Sequence, residues 1–241
     1  MTDENGQVVK LVFDSLYNVY RADVVPGSNQ TYVLEVICDS FPTVVVEDVL
    51  PVKVALDSVQ IDPFVRVDNL GAAIGQAIIY FKDPLKSENY YEVEITPGYN
   101  NYSGLVVSSE DPVITNEFYY PENAELQNFS PHRLLFSDQS FGSGQKVITV
   151  SFYSGSSYYC SEDESYHRIS EGYITVKFRS VSKNYYTYFA SYLNYMFNIS
   201  GEALLGTVEP VNIMGNVKGG YGIFGAYQEV YYQTNFEGIK Y

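Results

Sequence analysis

The chain of 241 residues has no tryptophan, two histidines, two cysteines, and 14 basic side chains against 29 acidic ones. Each shortage removes a class of function. The formal net charge is −15 and no run of even four basic residues occurs, so the field repels phosphate backbones and anionic headgroups and excludes nucleic-acid binding. With Cys38, Cys160, His132 and His167 so spread, no C-x-x-C or H-x-x-x-H pair forms, and no metal site is expected. No apolar run approaches the roughly 18 residues of a membrane-spanning helix. The opening Met1-Thr-Asp-Glu-Asn-Gly6 lacks the basic start and apolar stretch of a signal peptide.

What is abundant is tyrosine (25) and phenylalanine (14), which with frequent Val and Ile is the residue usage of pleated, half-buried strands. The periodicity agrees. Short strands of period two are predicted around Val9–Phe13, Thr31–Cys38, Thr43–Val49, Ala77–Phe81, Tyr90–Thr96, Leu105–Ser108, Val147–Phe152 and Tyr173–Phe178. In the last, Ile174, Val176 and Phe178 face one way and Thr175 and Lys177 the other, giving one core face and one wet face. Residues 1–57 read as a partial immunoglobulin-like β-sandwich region, since about four strands stand there where a closed sandwich has about seven. Asp3-Glu-Asn-Gly6 is hairpin-turn chemistry that implies a strand in front of it, and that strand is expected to lie outside the sequence. Pro51 and the stretch to Pro63 mark a boundary, and residues 58–241 read as a larger antiparallel β-rich domain.

One amphipathic helix is predicted near 183–198. Tyr186, Phe189, Leu193 and Phe197 form its apolar stripe, and Tyr185, Tyr188, Tyr192 and Tyr195 an adjacent row. That row is a candidate ligand contact; the plainer reading is that the rings pack at the margin of the stripe with hydroxyls in water. Cys38 shares a strand face with Tyr32, Leu34 and Val36 and is expected to be a buried thiol, with pairing to Cys160 as the alternative.

Catalytic constellations are weak. There is no G-x-S-x-G elbow, and Gly142-Ser143-Gly144 is too short to be one. His132 and His167 lie in polar stretches that read as solvated loops rather than sites of general-base chemistry. Glu162-Asp-Glu164 and Ser137-Asp-Gln-Ser-Phe-Gly142 offer oxygen ligands, yet neither has the alternating spacing of a calcium loop. Sequons at Asn29, Asn101, Asn128 and Asn198 matter only in a eukaryotic secretory setting.

Near the C-terminus Gly220, Gly222 and Gly225 match G-x-G-x-x-G, the dinucleotide fingerprint. That motif needs a helix, a second parallel strand and an acid about 20 positions on. Only sixteen residues follow Gly225, and Gln228–Glu237 reads as strand, so no nicotinamide or flavin cofactor is expected. Gly215, Gly219, Gly220, Gly222 and Gly225 are read instead as a structural motif where backbones pass closely.

Several segments together resemble the Gram-negative envelope family known as domain of unknown function 4249. They are the opening Asp-Glu-Asn-Gly, Val25-Pro-Gly-Ser-Asn-Gln-Thr-Tyr-Val-Leu-Glu-Val36, Tyr80-Phe-Lys-Asp-Pro84 with Asn89-Tyr-Tyr91, Phe136-Ser-Asp138 with Phe141, Tyr185-Tyr186, and Glu209-Pro-Val-Asn212 leading into Gly215–Tyr227. The resemblance implies a lipid-anchored outer-membrane protein, with an immunoglobulin-like start and a larger β-rich region, that accompanies TonB-dependent transporters. It carries no catalytic residues and no cofactor. A signal peptide and lipidated cysteine are expected upstream of Met1. The function this implies is noncatalytic assistance in nutrient capture or handling beside a transporter. A structural role in envelope assembly is the alternative, and a glycan binder or hydrolase stands further off.

Overall fold

A computed structural model describes residues 1–68, 71–84, 87–97, 105, 107–115, 132–141, 144–155, 157–160, 165–205 and 211–241. Val12–Asp14 (β1) and Val19–Arg21 (β2) make one hairpin, and Thr31–Cys38 (β3) and Phe41–Val49 (β4) a second. There follow Leu56–Val67 (β5), Ala73–Asp83 (β6), Tyr90–Pro97 (β7), Val107–Ser108 (β8), the short helix Pro112–Thr115 (α1), Arg133–Ser137 (β9) and Gly144–Tyr153 (β10). The chain ends with Ser157–Cys160 (β11), Ser165–Ile169 (β12), Gly172–Val181 (β13), the helix Lys183–Leu205 (α2), Tyr227–Phe236 (β14) and Ile239–Lys240 (β15). The protein is mainly β, and its named strand pairs are antiparallel.

Two four-stranded sheets, ordered β5-β6-β10-β8 and β14-β13-β7-β9, pack against each other. Alternation explains the packing: Ala77, Ile79 and Phe81 of β6 and Ile148, Val150 and Phe152 of β10 all point inward, and so do Tyr91, Val93 and Ile95 of β7 and Ile174, Val176 and Phe178 of β13. Phe81 is the hub, with ring centroids 5.3 Å from Tyr91, 4.9 Å from Phe178 and 6.3 Å from Phe136 and from Phe141. Such offset and edge contacts add to the burial of the rings. Within the first fifty residues the strands form two-stranded sheets, and the two-layer packing lies in the region after them.

Four expectations change. The arm in front of the Asp3–Gly6 turn is supplied by residues 1–3: Thr2 bridges both Val8 and Val33, and the turn closes with Gly6 N to Asp3 O at 3.0 Å. Pro63 does not end a strand, because β5 runs through it on a register shift between Asp62 and Arg66, where a missing N–H costs no ladder bond. His167 lies in β12 rather than in a loop, and its ring stacks on Tyr241 at 5.4 Å. Helix α2 extends past residue 198 to Leu205.

Candidate functional site

Several of the segments that carried the family resemblance, residues 80–84, 89–91, 136–141, 185–186 and 215–227, meet at two places. At the first, the loop between β6 and β7 meets the turn after β9. The Tyr91 hydroxyl donates to the Asp83 carboxylate, and Asn89 donates through its backbone N–H (2.9 Å) and its amide (3.0 Å) to Asp138. The Asn89 amide also reaches Ser87 O at 3.0 Å. Burial pushes the Asp83 carboxyl above its ordinary range and the Asp138 charge adds to this, while the Tyr91 bond works against it. Burial and the Asp83 carboxylate push the Tyr91 phenol up. Ser137 accepts from Gln139 N at 3.2 Å and caps the 3-10 turn Asp138–Ser140, so residues 137–141 of the stretch weighed as oxygen ligands serve as a turn staple.

At the second place, helix α2 lies over the outer face of β7, β9 and β13. Here the fully buried Glu92 receives Arg179, Arg133 (3.3 Å) and the Tyr185 hydroxyl (2.9 Å). Arg179 also binds Glu94 (2.7 Å) and Glu229 (2.7 Å), and Lys177 binds Glu94 at 3.2 Å. Three carboxylates thus face three cations. Burial works against the Arg179 charge, but Glu92 and Glu94 outweigh it and hold the guanidinium firmly protonated. Burial likewise works against the Glu94 carboxylate, but Arg179 and then Lys177 hold it below its usual range. Arg133 sits over the Phe189 ring at 4.9 Å, which seals the network under the helix.

Beside this network the second hairpin is clipped to the glycine motif. Asp48 of β4 is buried and accepts from the Ser182 hydroxyl, from Ala226 N at 2.7 Å and from the Asn184 amide at 3.0 Å. Ser182 in turn accepts from Tyr185 N at 3.1 Å, three residues on, so one carboxylate links hairpin, helix start and loop. In the loop a Cβ on Gly215 would stand 2.4 Å from Gly222 O, and Gly222 itself has φ +119°, a conformation that side chains resist. The Asn216 side chain bonds Phe224 in both directions, at 2.8 and 3.0 Å. Gly219 has φ +81°, Gly220 rests near Val217 and Val44, and a Cβ on Gly225 would lie 3.2 Å from the Tyr185 ring. After Gly225 the chain enters β14, so no helix N-terminus is placed to hold a pyrophosphate.

The tyrosine row does not act as one platform. Tyr185 is buried with its hydroxyl on Glu92, Tyr188 sets its ring edge to Phe189 at 5.2 Å, Tyr195 is half-buried and Tyr192 is exposed. Tyr186, Phe189 and Leu193 pack on Tyr90, Leu135 and Val181 as the apolar stripe required. Cys38 is exposed and forms no disulfide with Cys160, whose Sγ accepts from the Ser165 hydroxyl at 3.4 Å; this corrects the buried thiol, because burial fades along β3 from Tyr32 towards its turn, and the register shifts between Val36 and Cys38. His132 precedes β9 with a buried Nδ1. Glu162–Glu164, Gly142-Ser143, Asn101 and Asn128 lie outside the described residues. Asn29 sits in the turn before β3 at φ +62°, and Asn198 lies on α2. Among the described residues no group of three or more His, Cys, Asp or Glu is placed to hold a metal ion.

Sequence reasoning missed one open cleft of about 420 Å³ on the outer face of the β5-β6-β10-β8 sheet, lined by Arg66, Gln76, Glu110, Asp111, Thr149 and Ser151. It arises because β8 stops after Ser108: Ser109 then donates to Thr149 O at 2.6 Å and Asp111 accepts from Thr149 N at 3.1 Å, replacing the strand with side chains. Only the alternation of Gln76, Thr149 and Ser151 away from the core hinted at a polar outer face.

A family model described as domain of unknown function (DUF4249) matches residues 1–233. No curated protein and no solved structure matches the chain.

Proposed function

The chain belongs to the domain of unknown function 4249 family, and on that premise we propose that it is a noncatalytic accessory lipoprotein of the Gram-negative outer membrane that assists nutrient capture or handling beside a TonB-dependent transporter. The observation that carries this reading is the surface of the first fifty residues. Val12, Phe13, Leu16, Tyr17 and Tyr20 of the first hairpin and Val36, Ile37, Phe41 and Val45 of the second all face solvent, and Asp48 clips the second hairpin firmly to the body. Apolar and aromatic side chains in such number on exposed strands suit contact with another protein. The buried carboxylates point the same way. Asp48, Asp83 and Glu92 are each bonded within the fold, so they stabilise structure rather than standing ready in a cleft.

A purely structural role in envelope assembly is the second reading, favoured by the same apolar surface. Deleting the gene in its native host separates the two. The accessory reading expects slower uptake of the neighbouring transporter's nutrient with an intact envelope, and co-purification of that transporter with the tagged full-length protein. Normal uptake with a leaky envelope would replace it with the assembly role.

A further inference from the structure

The stretch 213–226 ahead of β14 is built more firmly than a connection needs. Its arms touch backbone to backbone where Gly215 meets Gly222 O, and the Asn216 side chain pins them through two bonds to Phe224. Its end is fixed by Ala226 N on Asp48, and its flank rests on the Tyr185 ring at Gly225. At the tip Gly220 lies against Val44 of β4. What this scaffold holds up is Tyr221. Its relative exposure is 106%, as open as an isolated residue, and it makes no hydrogen bond or ring contact among the described residues. Met214 and Ile213, leading into the loop, are exposed too, and Lys218 adds a cation on a chain of net charge −15.

A tyrosine with no task in the fold on a flexible loop would mean little. On a pinned loop its backbone is pre-organised: the loop-ordering part of the cost of binding is already met within the fold, and tyrosine is a residue type that dominates binding energy when its ring enters a pocket. We infer that Tyr221 is the anchor through which this chain engages its protein partner. The ring enters an apolar pocket whose rim carries a hydrogen-bond acceptor for the phenol and an acidic group opposite Lys218. A bilayer is the poorer occupant, because one ring without apolar neighbours at the tip gives little interfacial binding.

The inference rests on the proposed partnership with a transporter, and the experiment keeps the two apart. Full-length lipidated protein, wild type and Tyr221→Ala, Tyr221→Phe and Tyr192→Ala variants, is affinity-purified from native membranes, and the recovered transporter is quantified beside thermal melts. A photoreactive phenylalanine analogue at position 221 is irradiated in the same membranes. The expected result is a loss of about tenfold or more in transporter for Tyr221→Ala with an unchanged melt, partial retention for Tyr221→Phe, no loss for Tyr192→Ala, and a photo-adduct on protein. Wild-type levels of transporter with Tyr221→Ala, or an adduct on lipid or glycan alone, overturn the anchor and leave the partnership standing. Absence of transporter from the wild-type preparation overturns both.

Discussion

Asp48 and Ala226, 178 residues apart in sequence, meet through a 2.7 Å hydrogen bond from the Ala226 N–H to the Asp48 carboxylate. The same carboxylate takes the Ser182 hydroxyl at the head of α2, so the second hairpin, the helix and the glycine loop are fastened at one buried point. Asp48→Ala leaves that hydroxyl without its acceptor and that N–H with only the longer bond to Ser182 Oγ at 3.3 Å. It is expected to lower stability by roughly 1–3 kcal/mol. Hydrogen exchange should show the loss of protection concentrated in β4 and the loop after α2, and uniform loss across the core would place the effect elsewhere.

The loop glycines differ in what they resist. Gly215→Ala drives a Cβ into Gly222 O, and Gly222→Ala forces a side chain onto φ +119°, so each should cost on the order of 1–3 kcal/mol. Gly220→Ala meets mainly the Val217 side chain at 3.2 Å, which can turn aside, and should cost less than either. Denaturant titrations of the three variants check this order.

Breaking the network under α2 should be more damaging than its partly exposed rim suggests. Glu92→Gln leaves Arg179, which is nearly buried, with one carboxylate fewer and is expected to destabilise by about 3 kcal/mol. Tyr185→Phe removes only one hydroxyl from the same carboxylate and should cost about 1 kcal/mol. Equal melts for wild type and Glu92→Gln would mean that the ion network contributes nothing.

The Asp83 carboxyl sets a pH dependence of unusual sign. Its folded pKa is raised above the unfolded value, so the folded state holds the proton more tightly. This contribution to stability is complete below the ordinary carboxylate pKa and is lost as pH rises through the raised one. Asp83→Asn should flatten the decline across that window while leaving the rest of the stability–pH curve in place. A curve of unchanged slope would assign the decline to another group.

Much of the fold was legible because one rule held along most strands. Alternation placed Ile174, Val176 and Phe178 in the core, and β3 and the start of β7 fall where the pattern put them. The same rule hid the charged network: Glu92 and Glu94 alternate with Tyr91, Val93 and Ile95 and so read as a wet face, and only the docking of α2 over that face buries them. Strand β9 was missed because Arg133-Leu-Leu-Phe-Ser137 is an apolar run with no alternation, buried on both sides under the helix and in the core. Asp48 gave no local signal at all. Its partners lie more than 130 residues away, and its pattern on β4 is that of any polar residue near a strand end.

The proposed partnership is made through the surface that Asp48 holds in place. Its most direct test is the mass of the complex that the full-length lipidated protein forms when extracted gently from native membranes, measured by light scattering with mass spectrometry of its components. The expected result is a stoichiometric assembly containing a TonB-dependent transporter, which Asp48→Ala weakens. A particle of the chain alone, unchanged by that substitution, would contradict it.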